Sequence, residues 1–286
     1  MPQFYLAGFT SDGTKDGWLY ATAIATGKQW RCKPAGVAHS RDYFRVDVPE
    51  QDPFVIERSF AQLEGEMATA LRTVIETQNI PIGDTYSLLM HLVALSLARV
   101  PVMRENTGRP MVQIAEMVLQ MTLSSPERYY STLENMKKDG HDVSNFPSFE
   151  EMEQKSNTDH FTITPSQNWN VHSALMIADI ILELLPKRDW SLVVPKRPED
   201  IFICSDNPVS VSWTVSGLER QPPGLGPKNT MVFMPLSSHL GLIGLFGPVK
   251  PIISIESSNV AMLNQLTFRQ AMAQIYCRDE SFLGAT

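Results

Sequence analysis

At Lys187-Arg188-Asp189 the spacing of apolar residues switches from helical to strand-like, and this limits the chain to an α+β architecture with helices and strands in separate stretches. Upstream, Ile56, Phe60, Leu63, Met67, Ala70 and Val74 follow an Asp52-Pro53 start signal at helical spacing. Residues 85–100 are apolar on nearly every side, which predicts a central helix stopped by Pro101. Arg109-Pro110 opens a third helical pattern through Met111, Ile114, Met117, Val118 and Met121, a stripe expected to face the core. Ser125-Pro126 caps a fourth helix. The polar residues 137–160, with a short capping box at Ser148 to Glu151, read as a surface connection or lid. A further helix is predicted over residues 165–185.

Downstream of the switch, β-branched and aromatic runs predict strands at residues 190–194, 201–205, 209–215, 230–235 and 240–246. The Pro/Gly-rich stretch 221–227 is a loop. A terminal helix is expected over residues 258–276. Ahead of the helices, residues 3–48 carry Trp18, Tyr20, Trp30, Tyr43 and Phe44 between turn-rich stretches, which favours a small meander of strands. The chain therefore reads as one composite domain, residues 1–286. It comprises an N-terminal β-meander (1–48), a central helical layer (52–185), and a C-terminal mixed or antiparallel sheet with a terminal helix (190–286).

Charge and length narrow the partners. A net charge of −7 does not favour a phosphate backbone or an anionic membrane, although a local basic patch would still permit nucleic acid. The longest apolar run, residues 88–98, is shorter than the roughly 20 residues a membrane span requires. The opening lacks the basic, apolar and cleavage segments of a secretory signal. Cys32, Cys204 and Cys277 are odd in number and widely separated, so a reducing cytoplasm fits better than a disulfide framework or a zinc site.

The stretch with most chemical potential is Phe202-Ile203-Cys204-Ser205-Asp206-Asn207-Pro208-Val209, an apolar strand ending in two side chains able to hold a proton, an amide or a cation. Asp206 has two readings, an Asx turn onto nearby amides or a base or cation ligand oriented with Asn207. Glu57 and Glu64 fall on one margin of the first long helix, and either could supply a second carboxylate. Arg99 closes the central helix and would need a carboxylate such as Glu64 if buried. His91 is either a hydrogen-bonded core histidine or a catalytic group. His172 and Asp179 lie two helical turns apart, too far for a direct pair. The Ser-Asp-Asn triplet has no accompanying Ser-x-x-Lys nucleophile, and there is no metal-binding His-Glu-x-x-His helix, nucleophile elbow, phosphate loop or dinucleotide turn.

Pro2-Gln3-Phe4-Tyr5-Leu6, the helix bearing Glu57 and Glu64, Arg99-Val100-Pro101 and Phe202 through Val209 occur together in an order that resembles an uncharacterised bacterial family, domain of unknown function 4238. The likeness extends to Trp190, Pro235-Leu236-Ser237, Asn264 and Ala271, with the Ser-Asp-Asn-Pro-Val block its sharpest part. Family members open with His-Tyr-Val-Pro-Gln, whereas here Met1 directly precedes Pro2-Gln3. Either this chain is shortened at its start or that histidine is dispensable. The resemblance implies an overall architecture and no established activity.

The leading functional expectation is a cytoplasmic hydrolase, cation-assisted and nuclease-like. Asp206, Asn207, Glu64 and His91 would be its catalytic groups, Arg99 would hold an anionic substrate, and a divalent cation of unspecified identity would be the cofactor. The alternatives are a non-catalytic module in which Glu64, Arg99 and Asp206 form a structural brace while the 221–227 loop or the polar 137–160 segment binds a protein partner, and a small-anion sensor that binds through Arg99 without turnover.

Overall fold

A computed structural model describes residues 1–37, 55–156, 162–218 and 220–280. The Asp52-Pro53 signal, Tyr43 and Phe44 lie outside these residues, and the side chains of Ile56 and Glu57 lie outside the described part of their helix. The architecture is α+β, with strands near the start, helices in the middle and a mixed sheet towards the end.

The chain opens with α1 (Gln3–Leu6), which runs into a 3-10 turn (Ala7–Phe9), where a strand was expected. Helical spacing is what lets Tyr5, Leu6 and Phe9 all bury completely on one side. Gly8 sits where this turn meets the second sheet: a Cβ there would fall 2.8 Å from the Leu236 carbonyl oxygen. A hairpin follows, β1 (Leu19–Ala23) with β2 (Gln29–Cys32).

The helical layer comprises α2 (Val55–Thr77), α3 (Gly83–Ala98), α4 (Pro101–Thr122), α5 (Pro126–Lys138), α6 (Phe149–Ser156) and α7 (Gln167–Leu184). Helix α3 packs between α2 and α7, so its apolar residues bury on both sides, with Leu89, Leu92, Val93 and Ala94 at 1% exposure or less. Each large side chain so buried contributes roughly 1.5–3 kcal/mol. Pro101 does more than stop α3. It is the first residue of α4, a position that needs no N–H, so α4 begins eight residues before Arg109 and carries Pro110 inside it. The caps read from sequence at Ser125 and Ser148 are present: the Arg128 amide donates to Ser125 Oγ, and Ser148 and Glu151 exchange hydrogen bonds at 3.2 Å each.

The second sheet has the order β5-β6-β7-β3-β8, formed by β3 (Asp189–Pro195), β5 (Ser210–Trp213), β6 (Thr230–Ser237), β7 (Leu240–Leu245) and β8 (Ile252–Ile255). It is mixed because β8, which sequence reading missed, lies parallel to β3. Its helix α8 (Ser257–Gln270) packs Val260 and Leu263 against Val193, Phe202 and Phe233. The expected terminal helix stops there, six residues early, and β9 (Gln274–Cys277) follows. Residue chemistry explains the change, since Ile275 and Tyr276 suit a pleated surface better than a helix end. Strand β9 pairs with β1 on one side and with β4 (Cys204–Ser205) on the other, giving the first sheet the order β2-β1-β9-β4. Its Ala21–Tyr276–Cys204 row joins the same core cluster as α3.

A clasp at the strand exit, a brace between helices and an uncovered helix face

Strand β4 is only two residues long, and the chain leaves it at Asp206. Ser205 makes the local turn: its Oγ accepts from the Asn207 amide at 3.2 Å and donates to the Asn207 carbonyl at 2.7 Å. Asp206 does not form the local Asx turn that its sequence context suggests. Its carboxylate reaches across to the α8–β9 link, where Oδ1 accepts from the Met272 amide (2.8 Å) and Oδ2 from the Ala273 and Gln274 amides (2.8 and 3.1 Å). The reason is supply and demand. A chain leaving a helix for a strand presents consecutive N–H groups without intrahelical acceptors, and an anionic acceptor binds them more strongly than a neutral one.

Asn207 completes the same junction from the other side. Its Nδ2 donates to the Gln270 carbonyl, the last of α8, at 2.9 Å. Gln270 in turn pairs its side-chain amide with both backbone groups of Val211, at 3.1 and 2.6 Å, as a strand neighbour would. One turn and a half back along α8, Asn264 accepts from the Ile203 amide and donates to the Ile201 carbonyl. Strand exit and helix end therefore hold each other reciprocally. Asn207 Oδ1 is buried and has no hydrogen-bond partner among the described residues.

Glu64 and Arg99 meet as the helix reading expects, with Arg99 Nη1 donating to Glu64 Oε1 at 2.9 Å. Arg99 is the residue that closes α3, and its guanidinium also stacks 4.4 Å over the Phe60 ring from α2. The pair thus locks α2 to the end of α3. Met1 lies against the same region: burial lowers its amine below the ordinary value, Arg99 adds to this, and Glu64, Cys204 and Asp206 act in the opposite direction. The Met1 amine therefore feels the charges of both brace and clasp. His91 belongs to neither, because its Nδ1 contacts the Ser87 carbonyl one turn back along α3, at 2.7 Å. His172 and Asp179 are solvent-exposed on α7.

A match over nearly the whole chain accompanies this geometry. The family model described as Protein of unknown function (DUF4238) matches residues 1–281. The chain belongs to that family. Comparison with curated proteins and with solved structures returned no match.

In this DUF4238 member the described residues contain no group of three or more His, Cys, Asp or Glu placed to hold a metal ion, so a cation at Asp206 would have to share a carboxylate already accepting three amides. Cys204 is no better placed to act as a nucleophile. Burial pushes its thiol up to about 12, against a weaker opposing effect of its hydrogen bond to the Tyr5 hydroxyl. No described helix is long and apolar enough to cross a membrane.

Two features escaped the sequence reading. The first is Arg188, buried with no carboxylate partner among the described residues, whose guanidinium donates to the carbonyls of Thr230, Gly244 and Leu225 and to Thr230 Oγ1 while lying 4.4 Å over Phe246. It fastens the 221–227 loop to the sheet. The only signal was an arginine immediately before a strand. The second corrects the expected core position of the methionine stripe. Met111, Ile114, Met117, Val118 and Met121 are 40–61% exposed. Helix α4 instead packs through partly buried Val112, Ala115, Leu119 and Thr122, so it is apolar over more of its circumference than its neighbours α5 and α7 cover. An open groove beside the stripe is lined by Val118, Met121, Thr122, Glu127, Arg128, Ser131 and Thr132.

Proposed function

We propose that this protein is a non-catalytic interaction module, a composite domain over residues 1–286 that presents the outer face of α4 to a protein partner. The observation carrying this reading is the exposed Met111–Ile114–Met117–Val118–Met121 face, since soluble chains rarely leave several large apolar side chains uncovered side by side unless they meet a partner. Methionine suits that role because its flexible, polarizable side chain adapts to a partner's contours. The engagement of Asp206 and Asn207 at the α8–β9 junction supports the same reading, because it gives the sharpest family motif a structural task. Three free cysteines, two of them buried, agree with a cytoplasmic setting.

Cation-assisted hydrolysis is the second reading, favoured by the electrostatic proximity of Glu64, Arg99 and Asp206 around Met1. One experiment separates the two. The purified chain is assayed on nucleic acids, nucleotides and esters with Mg²⁺, Mn²⁺ or Zn²⁺, and its neighbours in cells are mapped by cross-linking mass spectrometry for wild type and for Ile114→Glu/Met121→Glu. Cross-links centred on α4 and lost in the variant are expected. Turnover abolished by Glu64→Gln in a folded protein, with cross-links indifferent to the α4 variant, would overturn the interaction reading.

A further inference from the structure

The two ends of the second sheet are finished differently. At β5 the outer edge is closed, because the Gln270 side chain bonds both backbone groups of Val211 and takes the place of a further strand. At β8 no described residue does the same. Its inner side is fixed by the Leu192 amide donating to the Pro251 carbonyl and the Lys196 amide donating to the Ile255 carbonyl, both at 2.9 Å, which turns the odd-numbered residues of β8 towards β3. The backbone N–H and C=O groups of Ile252 and Ser254 therefore point away from the sheet, on exposed residues and without a partner among the described residues.

The devices that usually blunt an edge strand do not close this one. Pro251 lacks an N–H, but its place in the register faces β3, so the outward row of donors is intact. Helix α8 starts at the end of β8 and runs to β5, where Gln270 lies, so it leads away from the open edge. The segment Ile252-Ile253-Ser254-Ile255 is itself rich in strand-forming side chains, with Ile252 39% exposed and Ile253 and Ile255 half-buried beside Val260 and Leu263.

A second copy of the chain matches this edge in its own register. An antiparallel pairing about a two-fold axis at Ile253 sets Ile252 of each copy opposite Ser254 of the other, as hydrogen-bonded pairs that exchange about four N–H···O bonds in all. Ile253 then meets its own counterpart as the closely spaced pair between them. The charges match as well. Lys250, which is exposed, is brought to the end of the strand where Glu256 of the other copy lies. Glu256 holds Lys196 of its own chain through Oε1 and is 62% exposed, which leaves Oε2 for the incoming ammonium. A parallel pairing sets like charges beside each other at both ends, and this selects the antiparallel one.

We infer that the outer edge of β8 is a self-association site, at which two copies of this chain join antiparallel through Ile252 and Ser254 and merge their five-stranded sheets into one. Strand β8 and helix α4 share no residue, so this surface and the α4 face are tested separately. The full chain is examined by multi-angle light scattering over a concentration series, with hydrogen exchange followed on the same samples. Expected are a mass rising from 32.1 kDa towards twice that value, and exchange at the Ile252 and Ser254 amides slowing as concentration rises. Ser254→Pro deletes one outward N–H per copy and no bond to β3, so it should weaken the dimer by about tenfold or more with an unchanged circular dichroism spectrum. Lys250→Glu sets carboxylates together at each end and should weaken the dimer at low salt, with partial recovery at high salt. Ile253→Cys, on the axis, should form an interchain disulfide under mild oxidation, whereas Ser254→Cys, offset from its counterpart along the strand, should not.

A chain that stays at 32.1 kDa at its highest soluble concentration, with no disulfide-linked dimer from Ile253→Cys, overturns the self-association. If Ser254→Pro then removes cellular cross-links to another protein, the edge takes a foreign strand and the assignment of a second copy is wrong. A dimer indifferent to both Ser254→Pro and Lys250→Glu overturns its placement at β8. Should Ser254→Pro fail to fold, Lys250→Glu and the two cysteine variants decide.

Discussion

Replacing Asp206 with alanine removes one side chain and leaves three backbone N–H groups without their acceptor. The amides of Met272 and Ala273 are at the surface, where water takes over, so each loses only the advantage of a charged acceptor, about 1 kcal/mol. The Gln274 amide is partly buried and begins β9, so its loss lies nearer the penalty for an unsatisfied donor, about 1–3 kcal/mol. The expected destabilisation is therefore about 3–5 kcal/mol, and Asp206→Asn, which keeps one carbonyl oxygen but not the charge, should cost about half of that. Urea denaturation followed by near-ultraviolet circular dichroism measures it. Hydrogen exchange should locate it, with amides 272–274 accelerated ahead of the helical layer. Because Asn207 holds the same junction through the Gln270 carbonyl, Asp206→Ala and Asn207→Ala should be non-additive, with a coupling of roughly 0.5 kcal/mol or more. A surface control, Asp179→Ala on α7, should stay within about 0.5 kcal/mol of wild type. If Asp206→Ala also stays within that margin and exchange at 272–274 is unchanged, the clasp does not hold the junction and the reasoning fails.

Removing the carboxylate from the helix brace with Glu64→Gln should lower stability by about 1–2 kcal/mol, between the values for exposed and buried ion pairs, because Arg99 is 16% and Glu64 34% exposed; Arg99→Met, which keeps the contact with Phe60, should cost less in the same urea titration. Arg188→Lys cannot reproduce a guanidinium donating to three carbonyls and a hydroxyl, so it should cost about 2–4 kcal/mol and expose the 221–227 loop to limited proteolysis, whereas an uncut loop would show that Arg188 does not fasten it. Cys204 is raised from 9.0 to about 12, so its neutral form stabilises the fold fully below pH 9 and that contribution disappears as pH rises towards 12. Alkaline unfolding in this window should accordingly begin at higher pH in Cys204→Ala, and a curve identical to wild type would assign the transition to other groups. With native protein at pH 8, iodoacetamide should label Cys32 before Cys204 or Cys277, the last being pushed up to about 11 by burial, and equal labelling of all three would contradict the burial of the two strand cysteines.

Helix existence was legible because an apolar period repeated over four or more turns specifies a face without knowledge of its partner. The Glu64–Arg99 contact could be anticipated for a related reason, since an arginine ending an apolar helix has few ways to settle its charge. Local pattern fails where the deciding partner is distant. Gln274 to Cys277 continues a helical run in isolation, and only β1 and β4, which lie far off in sequence, make it a strand. Asp206 fails in the same way, because a local turn and a contact 66 residues away draw on identical residue chemistry. The α4 stripe shows the opposite error: its period reveals an apolar face correctly but cannot say whether the fold covers it.

The strand order β2-β1-β9-β4 also sets a timetable for biosynthesis. The β1–β2 hairpin leaves the ribosome early, but its neighbour β9 is not made until residue 277, and at ~5–20 residues per second that interval is on the order of ten seconds or more. Throughout it the open edge of β1 is a template for another nascent chain, so translation speed and chaperone access should govern yield more than the final stability does.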